Sequence, residues 1–410
     1  MRIGYLMQVG APEVRHGPFS GPAIHVRQVI RELNRMGHSV RLLANQQGQT
    51  WKSNDLEAFE PVQVRRLEHG PLRWIEGGVR RVQTELKLPY LAMFDTLRFS
   101  SACLQELADC DLFYERMGWM GYGGWQAARR LRIPLVLEVN GDHLSELERY
   151  GMAPKGFQRR WSISATRHQI AYASHIVASG IGWRKRFIDR WGETPGKVTV
   201  VENGTELVER FERRDLRSFQ DEAIPAGETR LVYVGGFQAW QGVTVLIKAL
   251  AQVIAQGIPI QLVLVGDGPE REESEKLVQD LNLEGCVTFA GQLLPTQYAG
   301  YLSGADIGLS PYCGWSEFTG LKLLDYKAAG LGIIASGKDG QPSIIEHYRT
   351  GLIVPPCDET ALAAAIALLS TDAALRKRLG RAARLDAEQL HSWGKTAENL
   401  YSIFQRSKAT

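Results

Sequence analysis

Two charged residues, Lys322 and Asp325, lie in a segment (316–336) whose pattern predicts a loop, a helix and a buried strand. Thr319 is a suitable N-cap and Gly330 a suitable C′ residue, so we expect the helix to lie between them. A cation in the first turn opposes the positive end of the helix dipole, and an anion docked at the helix N-terminus would explain Lys322. Asp325, one turn further along, could then accept hydrogen bonds from vicinal hydroxyls such as those of a ribose. The alternative is an ordinary amphipathic helix whose Lys and Asp are solvated.

Glycines follow several predicted strands at positions where the backbone could approach a phosphate. Gly235 and Gly236 follow a hydrophobic strand and precede a helix, and Gly266 ends the next strand. Because glycine lacks a Cβ, such loops bring backbone N–H groups close to an anion. Gly17 and Gly21 precede the first helix, where they either line a phosphate or sugar site or only let a proline-rich loop turn. This loop is not a G-x-G-x-x-G fingerprint, so the sequence gives little support for dinucleotide binding.

A polar cluster ends the predicted strand IPLVLEVN and includes Glu138, Asn140 and His143. Open α/β sheets bind ligands at the carboxyl ends of parallel strands, so this cluster is a candidate site. Asp109 and Asp111 form a D-x-D motif, which elsewhere binds metal. Here the motif precedes a buried strand, where connections are commonly rich in Asp, and we expect no metal site.

Composition limits the class of protein. The 410 residues are 44% hydrophobic, which suits two or three packed domains. We see no signal sequence after Met1 and no stretch of about 20 apolar residues that could span a membrane. The five cysteines are odd in number and scattered, which suits a reducing compartment and argues against a disulfide framework or a zinc site.

Charge is distributed unevenly along the chain. Residues 1–205 contain 28 Lys/Arg and 20 Asp/Glu, whereas the rest of the chain has a net charge of −5. The basic half either faces an acidic acceptor or an anionic membrane surface, or simply carries solvated Arg on helix faces. The segment 51–101 is basic and aromatic, and three interpretations of it are open. It forms a rim around the acceptor, it rests on a membrane interface, or it is a helix packed on the sheet. The charge is too dispersed for strong nucleic-acid binding.

Strands and helices alternate in two successive stretches, which predicts an α/β fold with two doubly wound domains. We place the first domain at 1–206 and the second at 229–391. The charged, Pro/Gly-containing stretch 207–228 is the predicted linker.

The segment from Glu317 to Asp325 resembles the E-x7-E motif of the family-4 retaining glycosyltransferases, in the variant that reads "LKLFEY". The resemblance implies the GT-B fold, two Rossmann-like domains facing across a cleft, with a last helix (about 392–410) that packs back on the first domain. It implies that Glu317 contacts the donor sugar and that Asp325, where the family usually has Glu, holds the ribose. Asn140 aligns with a His that contacts the sugar in the family, and His143 is the other candidate for that contact.

In the resembled family, an Arg and a Lys in the loop after the second domain's first strand clamp the diphosphate. The aligned positions here are Gly236 and Gln241, so both cations are missing. Lys322, the backbone of 316–321 and Arg271 would then neutralise the leaving group. The expected catalytic residues are Lys322, Glu317 and Asn140. The donor-binding set is Gly235, Gly236, Gly266, Arg271, Gln292, Leu293, Glu317, Phe318, Thr319, Gly320, Leu321, Lys322 and Asp325.

The resemblance implies transfer of a sugar from a nucleotide-diphosphate sugar, most simply UDP- or GDP-linked, to a hydroxyl of a glycan, lipid-linked or small-molecule acceptor. Anomeric configuration would be retained through a front-face displacement that needs no protein nucleophile, no cofactor and no metal. We expect a cytoplasmic protein, with peripheral contact at the inner membrane face through the basic N-terminal domain. The competing interpretations are a nucleotide-sugar-binding protein without chemistry, a GT-B epimerase or phosphorylase, and a nicotinamide dehydrogenase.

Overall fold

The structure is a computed structural model, and it describes residues 1–15, 20–46, 48–64, 71–85, 93–149, 151, 153–212, 228–313 and 320–409. The chain divides into two compact units. The first comprises Met1–Glu202 together with Ala397–Thr410, and the second comprises Asn203–Thr396. Residues 203–206, which the sequence pattern grouped with the first domain, thus belong to the second unit.

The first unit is built on an eight-stranded sheet of order β4-β3-β2-β1-β5-β6-β7-β8. Strands β1, β2 and β5 to β8 are parallel, and β3 and β4 extend the edge antiparallel. The strands are β1 Arg2–Met7, β2 Ser39–Gln46, β3 Gln49–Ser53, β4 Glu60–Pro61, β5 Leu112–Arg116, β6 Leu135–Val139, β7 His175–Ala178 and β8 Val198–Val200.

Helices connect these strands, as the alternating pattern predicts. They are α1 Gly21–Arg35, α2 Pro71–Glu85, α3 Met93–Glu106, α4 Gly123–Leu131, α5 His143–Arg149, α6 Gly156–Tyr172 and α7 Ile181–Trp191. The Ser20 side chain caps α1 by accepting a hydrogen bond from the backbone N–H of Ala23, which satisfies one otherwise unpaired donor.

The second unit is built on a six-stranded, wholly parallel sheet of order β11-β10-β9-β12-β13-β14. Its strands are β9 Thr229–Val234, β10 Ile260–Val265, β11 Val287–Gly291, β12 Ile307–Ser310, β13 Gly332–Ser336 and β14 Leu352–Val354. Its helices are α8 Leu207–Glu212, α9 Val243–Ile254, α10 Arg271–Asp280, α11 Pro295–Gly304, α12 Leu321–Ala329, α13 Glu359–Thr371 and α14 Ala373–Leu390.

Strand order predicts where the second unit would bind a ligand. Chain order runs outward from β9 in both directions, to β10 on one side and to β12 on the other. The connections therefore diverge at the carboxyl ends of β9 and β12, and open parallel sheets bind ligands at such a switch point. The loop after β9 contains Gly235 and Gly236, and the loop after β12 leads to α12.

A final helix, α15 (Trp393–Ala409), continues from the second unit into the first. Within the first unit, Phe404 is fully buried against Tyr114, with ring centroids 5.1 Å apart, and Tyr401 stacks on His38 at 4.2 Å. Among the described helices, none is both long and apolar enough to cross a membrane.

The expectation that the cysteines form no disulfide was wrong. Cys313 and Cys357 are bonded within the second unit, with their Cα atoms 4.7 Å apart. Cys313 follows β12 and Cys357 follows β14, and both strands end at the same edge of the parallel sheet. The spacing of 44 residues in sequence carries no sign of this proximity, because the sheet creates it.

Candidate functional site

The start of α12 differs from the sequence prediction. The N-cap is Gly320 and not Thr319, since the helix begins at Leu321. Gly320 has a left-handed φ of 56°, and a Cβ there would lie 2.2 Å from a side-chain carbon of Ile344. Only glycine suits both conditions. The predicted end of the helix is confirmed, because Gly330 follows Ala329 with a φ of 71°.

Some of the predicted site residues lie outside the part of the chain that the structure describes. They are Glu317, Phe318 and Thr319, just before α12, and Gly17 in the first unit. Their predicted donor and cleft contacts remain predictions.

The helix α12 is buried on all sides, and neither of its charged candidates is solvated. Lys322 is 8% exposed and Asp325 is 9% exposed. This excludes the interpretation of α12 as an ordinary amphipathic surface helix. At its far end, the fully buried Lys327 donates to the carbonyl of Ile344 at 2.7 Å and forms an ion pair with Asp386, which fixes the helix in place.

The Lys322 ammonium group lies at the loop that follows β9. Its Nζ donates to Oε1 of Gln241 at 2.6 Å and lies over the rings of Tyr233 and Tyr312, at 4.6 and 4.9 Å from the centroids. A Cβ on Gly235 would come within 2.7 Å of this Nζ. Gly235 therefore leaves room for the ammonium group, and two motifs that the sequence predicted separately meet at the switch point of the sheet.

Two other glycines of the predicted donor site, Gly266 and Gly236, have different local roles. Gly266 has a φ of 139°, and a Cβ there would lie 1.8 Å from the carbonyl oxygen of Gly235, so this glycine lets two loops pack together. At Gly236, in contrast, an added Cβ would meet nothing closer than 3.8 Å. The position that aligns with the family's Arg is therefore open space, with Gln241 nearby in the short 3-10 turn Ala239–Gln241.

Both carboxylate oxygens of Asp325 accept hydrogen bonds from protein hydroxyls. The Thr205 hydroxyl donates to Oδ1 and the Tyr298 hydroxyl to Oδ2, each at 2.6 Å. Burial raises the pKa of Asp325 to about 6, against the lowering effect of these two hydrogen bonds, and the charge of Glu206 raises it further. The carboxylate thus ties α12 to two neighbouring segments, and its contact with a ribose remains a prediction. Nothing in the sequence pattern indicated Thr205 or Tyr298 as its partners.

The other donor-site candidates follow β10 and β11. Arg271 begins α10, where its guanidinium pairs with Glu275 and lies 4.6 Å from the centre of the Phe289 ring. Gln292 is exposed directly after β11, and Leu293 packs against the core. The pair with Glu275 engages Nε, so Arg271 would bind a diphosphate through its terminal guanidinium nitrogens.

In the first unit, the sequence-predicted polar cluster contains a buried carboxylate, Glu138, which Asn140 contacts. The Asn140 amide donates from Nδ2 to Oε1 of Glu138 at 2.6 Å. Gly21 is the first residue of α1, and α5 begins at His143. Glu138 is 1% exposed, and its partners were not indicated by sequence reasoning.

The D-x-D motif of the first unit forms ion pairs. Asp109 pairs with Arg2 and Arg41, and Asp111 pairs with Lys408 at 3.1 Å and accepts a hydrogen bond from the backbone N–H of Arg2 at 2.7 Å. These contacts give both carboxylates a structural role.

Two successive doubly wound units are the architecture of the GT-B fold. Solved structures of this fold match almost the whole chain. HepE of Anabaena, in complex with UDP and glucose, has a TM-score of 0.67 and 18% identity, covering 99% of this chain and 100% of that one. Sucrose-phosphate synthase from Thermosynechococcus elongatus has a TM-score of 0.70 and 24% identity, covering 100% of this chain and 99% of that one.

Sequence comparisons give the family. Residues 215–386 match the family described as Glycosyl transferases group 1, and residues 20–204 match the Glycosyl transferase 4-like domain. The D-inositol 3-phosphate glycosyltransferase of Nocardioides sp. is 25% identical over 377 residues, 86% of this chain and 78% of that protein. The enzyme of the same name from Saccharomonospora viridis is 25% identical over 402 residues, 95% of this chain and 90% of that protein. The chain belongs to the family-4 glycosyltransferases, which use nucleotide sugars.

Proposed function

We propose that the protein is a retaining glycosyltransferase that moves a sugar from a nucleotide-diphosphate sugar to an acceptor hydroxyl without a metal ion. The observation that carries this proposal is the position of the Lys322 ammonium group. It lies beside Gly235 at the switch point of the second unit, next to the loop in which the family binds the donor diphosphate. A buried cation at this edge suits a ligand that arrives with two negative phosphates.

In the proposed mechanism, the acceptor hydroxyl attacks the anomeric carbon from the face that the diphosphate leaves. The leaving phosphate takes up the hydroxyl proton, so the protein supplies no nucleophile. Catalysis then depends on positioning and on stabilising the negative charge that develops on the diphosphate. Lys322 and the N-terminal backbone of α12 would stabilise that charge, and Glu317 and Asn140 would contact the sugar.

Lys322 would also compensate for the two cations that this chain lacks at Gly236 and Gln241. Its ammonium group is 2.6 Å from the Gln241 side chain. The positive charge next to this loop is therefore supplied by a residue of α12, and not by a residue of the loop. A donor diphosphate would replace the Gln241 amide oxygen, a neutral acceptor, with a charged one, which forms the stronger hydrogen bond.

The donor is most simply a UDP- or GDP-linked sugar. The UDP alternative is supported by the similarity to HepE, which was solved with UDP and glucose.

For the acceptor we propose a glycan, lipid-linked or small-molecule alcohol that binds to the first unit. The relatives named for D-inositol 3-phosphate favour a polyol. A small cavity at the carboxyl ends of β5 and β6 offers contacts for such a molecule through Trp119, Asp142, Trp183 and Arg186.

We further propose a cytoplasmic location with peripheral contact at the inner membrane face, through α2. The helix is held on its inner side by Glu76, which is buried and pairs with Arg98 and Arg80. Four of its apolar residues are exposed, by 85% for Trp74, 55% for Ile75, 39% for Val79 and 50% for Val82. An apolar stripe beside exposed arginines suits an anionic membrane surface. The Trp74→Ser/Ile75→Ser variant should no longer sediment with phosphatidylglycerol vesicles, whereas an unchanged bound fraction would exclude this helix as the contact.

The proposed function is tested by titrating UDP, GDP, ADP and dTDP into the purified protein by calorimetry, with magnesium and with EDTA. We expect one nucleotide to bind equally well in both conditions. The sugar forms of that nucleotide are then screened with acceptors, and NMR of the product reports whether the anomeric configuration is retained. Inversion would refute the mechanism, and a strict magnesium requirement would refute metal independence. Binding without any transfer or hydrolysis would support the competing interpretation, a nucleotide-sugar-binding protein.

A further inference from the structure

Glu138, at the carboxyl end of β6, is a buried carboxylate surrounded by donors from three elements. The Tyr5 hydroxyl of β1 donates to Oε2 at 2.8 Å. His25 of α1 lies 2.5 Å from Oε1 through its Nε2, and Arg116 of β5 lies 4.0 Å from the same oxygen. Two further partners are the Tyr114 hydroxyl of β5 and Asn140, whose Nδ2 is 2.6 Å from Oε1. With 1% of its surface exposed, Glu138 has no ordinary contact with water.

The charge of Glu138 determines which way the Asn140 amide points. Burial alone would raise the pKa of Glu138, but the charge and hydrogen bond of His25, the charge of Arg116 and the Asn140 hydrogen bond outweigh it and lower the pKa to about 2. The side chain is therefore a carboxylate near neutral pH, and a carboxylate only accepts hydrogen bonds. The Asn140 atom that touches it must be the NH2 nitrogen, since a carbonyl oxygen there would place two acceptors in contact.

This orientation leaves Oδ1 as the Asn140 atom that a ligand can use. Asn140 is half-buried and directly precedes Gly141, which lines the small cavity at the end of β6. In the part of the chain that the structure describes, no hydrogen bond to Oδ1 is found. A carbonyl oxygen accepts from a hydroxyl, whereas an amide NH2 group would donate to one.

We propose that Glu138 is a positioning residue that fixes the orientation of the Asn140 amide. In this orientation the Asn140 carbonyl oxygen accepts a hydrogen bond from a sugar or polyol hydroxyl of the substrate. The expected effect of Glu138 on activity rests on the proposed glycosyl transfer. The orientation of the amide itself does not depend on that function.

The kinetic test uses two single variants and their combination. In Glu138→Gln, the neutral amide can donate or accept, so Asn140 is free to turn, and we expect kcat/KM to fall roughly tenfold, the loss of one oriented hydrogen bond. In Asn140→Asp, two carboxylates face each other, and activity should fall at least as far and recover partly as the pH is lowered. In the double variant, the amide introduced at position 138 donates to the carboxylate introduced at position 140, whose second oxygen again accepts from the substrate.

The double variant should therefore regain kcat/KM to within about threefold of the unmodified protein. A double variant no better than the poorer single variant would overturn the proposal, as would a Glu138→Gln protein with unchanged kinetics. Melting temperatures of all three variants show whether a loss comes from unfolding.

A second measurement does not depend on activity. In protein labelled with ¹⁵N at Asn, the Asn140 side-chain amide should show one proton shifted downfield and protected from solvent exchange, and Glu138→Gln should remove both properties. If this signal is present while no nucleotide sugar is used, the proposed function fails and the positioning inference stands. If the amide of the unmodified protein is unshifted and exchanges freely, the inference fails whatever the activity.

Discussion

Replacing Lys322 by Met removes the buried charge at the proposed donor site while nearly preserving the volume of the side chain. Lys322 is 8% exposed, so an effective dielectric constant of about 20 applies, and a phosphate charge at about 4 Å would interact with the ammonium group by roughly 4 kcal/mol. Only the charge that develops during transfer lowers the barrier. If this is about half an elementary charge, the loss is roughly 2 kcal/mol, or about thirtyfold in turnover.

The assay is release of nucleoside diphosphate at saturating donor and acceptor, so that kcat is measured separately from donor affinity. We expect kcat to fall at least about tenfold, the lower limit for losing one charge-stabilising donor in this setting. The donor KM should rise as well, because the same ammonium group contacts the ground-state diphosphate.

Lys248→Met is the matched control. Lys248 is on α9 of the same unit, its side chain is 49% exposed, and it pairs with Glu359 at 3.3 Å. Lys248 carries the same charge as Lys322, but an exposed ion pair of this kind contributes little to the free energy of unfolding. The fold should tolerate both changes, since Gln241 still donates from Nε2 to the Tyr312 hydroxyl at 3.2 Å after Lys322 is replaced. Turnover of Lys322→Met within about threefold of the control would remove Lys322 from the mechanism.

Three further predictions follow from the second unit. Gly236→Arg should tighten nucleoside diphosphate binding about tenfold, because the site has room for the side chain and a charge-assisted hydrogen bond contributes about 1.5 kcal/mol; calorimetry checks this against Gly236→Ala, and equal affinities would refute it. The pKa of Asp325 is raised in the folded protein from 3.8 to about 6, so its contribution to stability is complete below pH 4 and is lost as the pH rises through 6, by roughly 3 kcal/mol. The melting temperature of Asp325→Asn minus that of the unmodified protein should therefore increase as the pH is raised from 4.5 to 7.5. A difference in melting temperature that does not change with pH would contradict this. Reducing the Cys313–Cys357 bond, or Cys357→Ser, should lower the free energy of unfolding of the second unit by about 4 kcal/mol in urea, the chain-entropy value for a loop of 44 residues, with the transition of the first unit unchanged.

The sequence predicted the elements of the second unit well where local rules decide them. A helix within 316–336 ending at Gly330 followed from spacing and from the glycine, and both are confirmed. The strand-then-glycine pattern placed Gly235 at the carboxyl end of a strand. Since parallel strands end at one edge, the proximity of Gly235 to α12 could be expected in outline.

Contacts between distant segments could not be predicted in the same way. The hydrogen bonds from Thr205 and Tyr298 to Asp325 join residues 120 and 27 positions apart, and no local pattern encodes them. The prediction of the N-cap residue was wrong for a related reason. Thr319 is the better cap by type, but close packing against Ile344 requires a left-handed glycine one residue later. Tertiary packing thus decided the details that local propensity left open.

The path of α15 affects how the first unit is made. Residues 397–410 belong to that unit, and Phe404 and Tyr401 cover the rings of Tyr114 and His38. The ribosome must synthesise the whole second unit before these residues emerge, which takes about 10 to 40 s at 5–20 residues per second. Throughout that interval the first unit has an uncovered apolar surface. Nascent first units are therefore expected to be substrates for chaperones, whereas the second unit, which is continuous in sequence, can close as soon as it is synthesised.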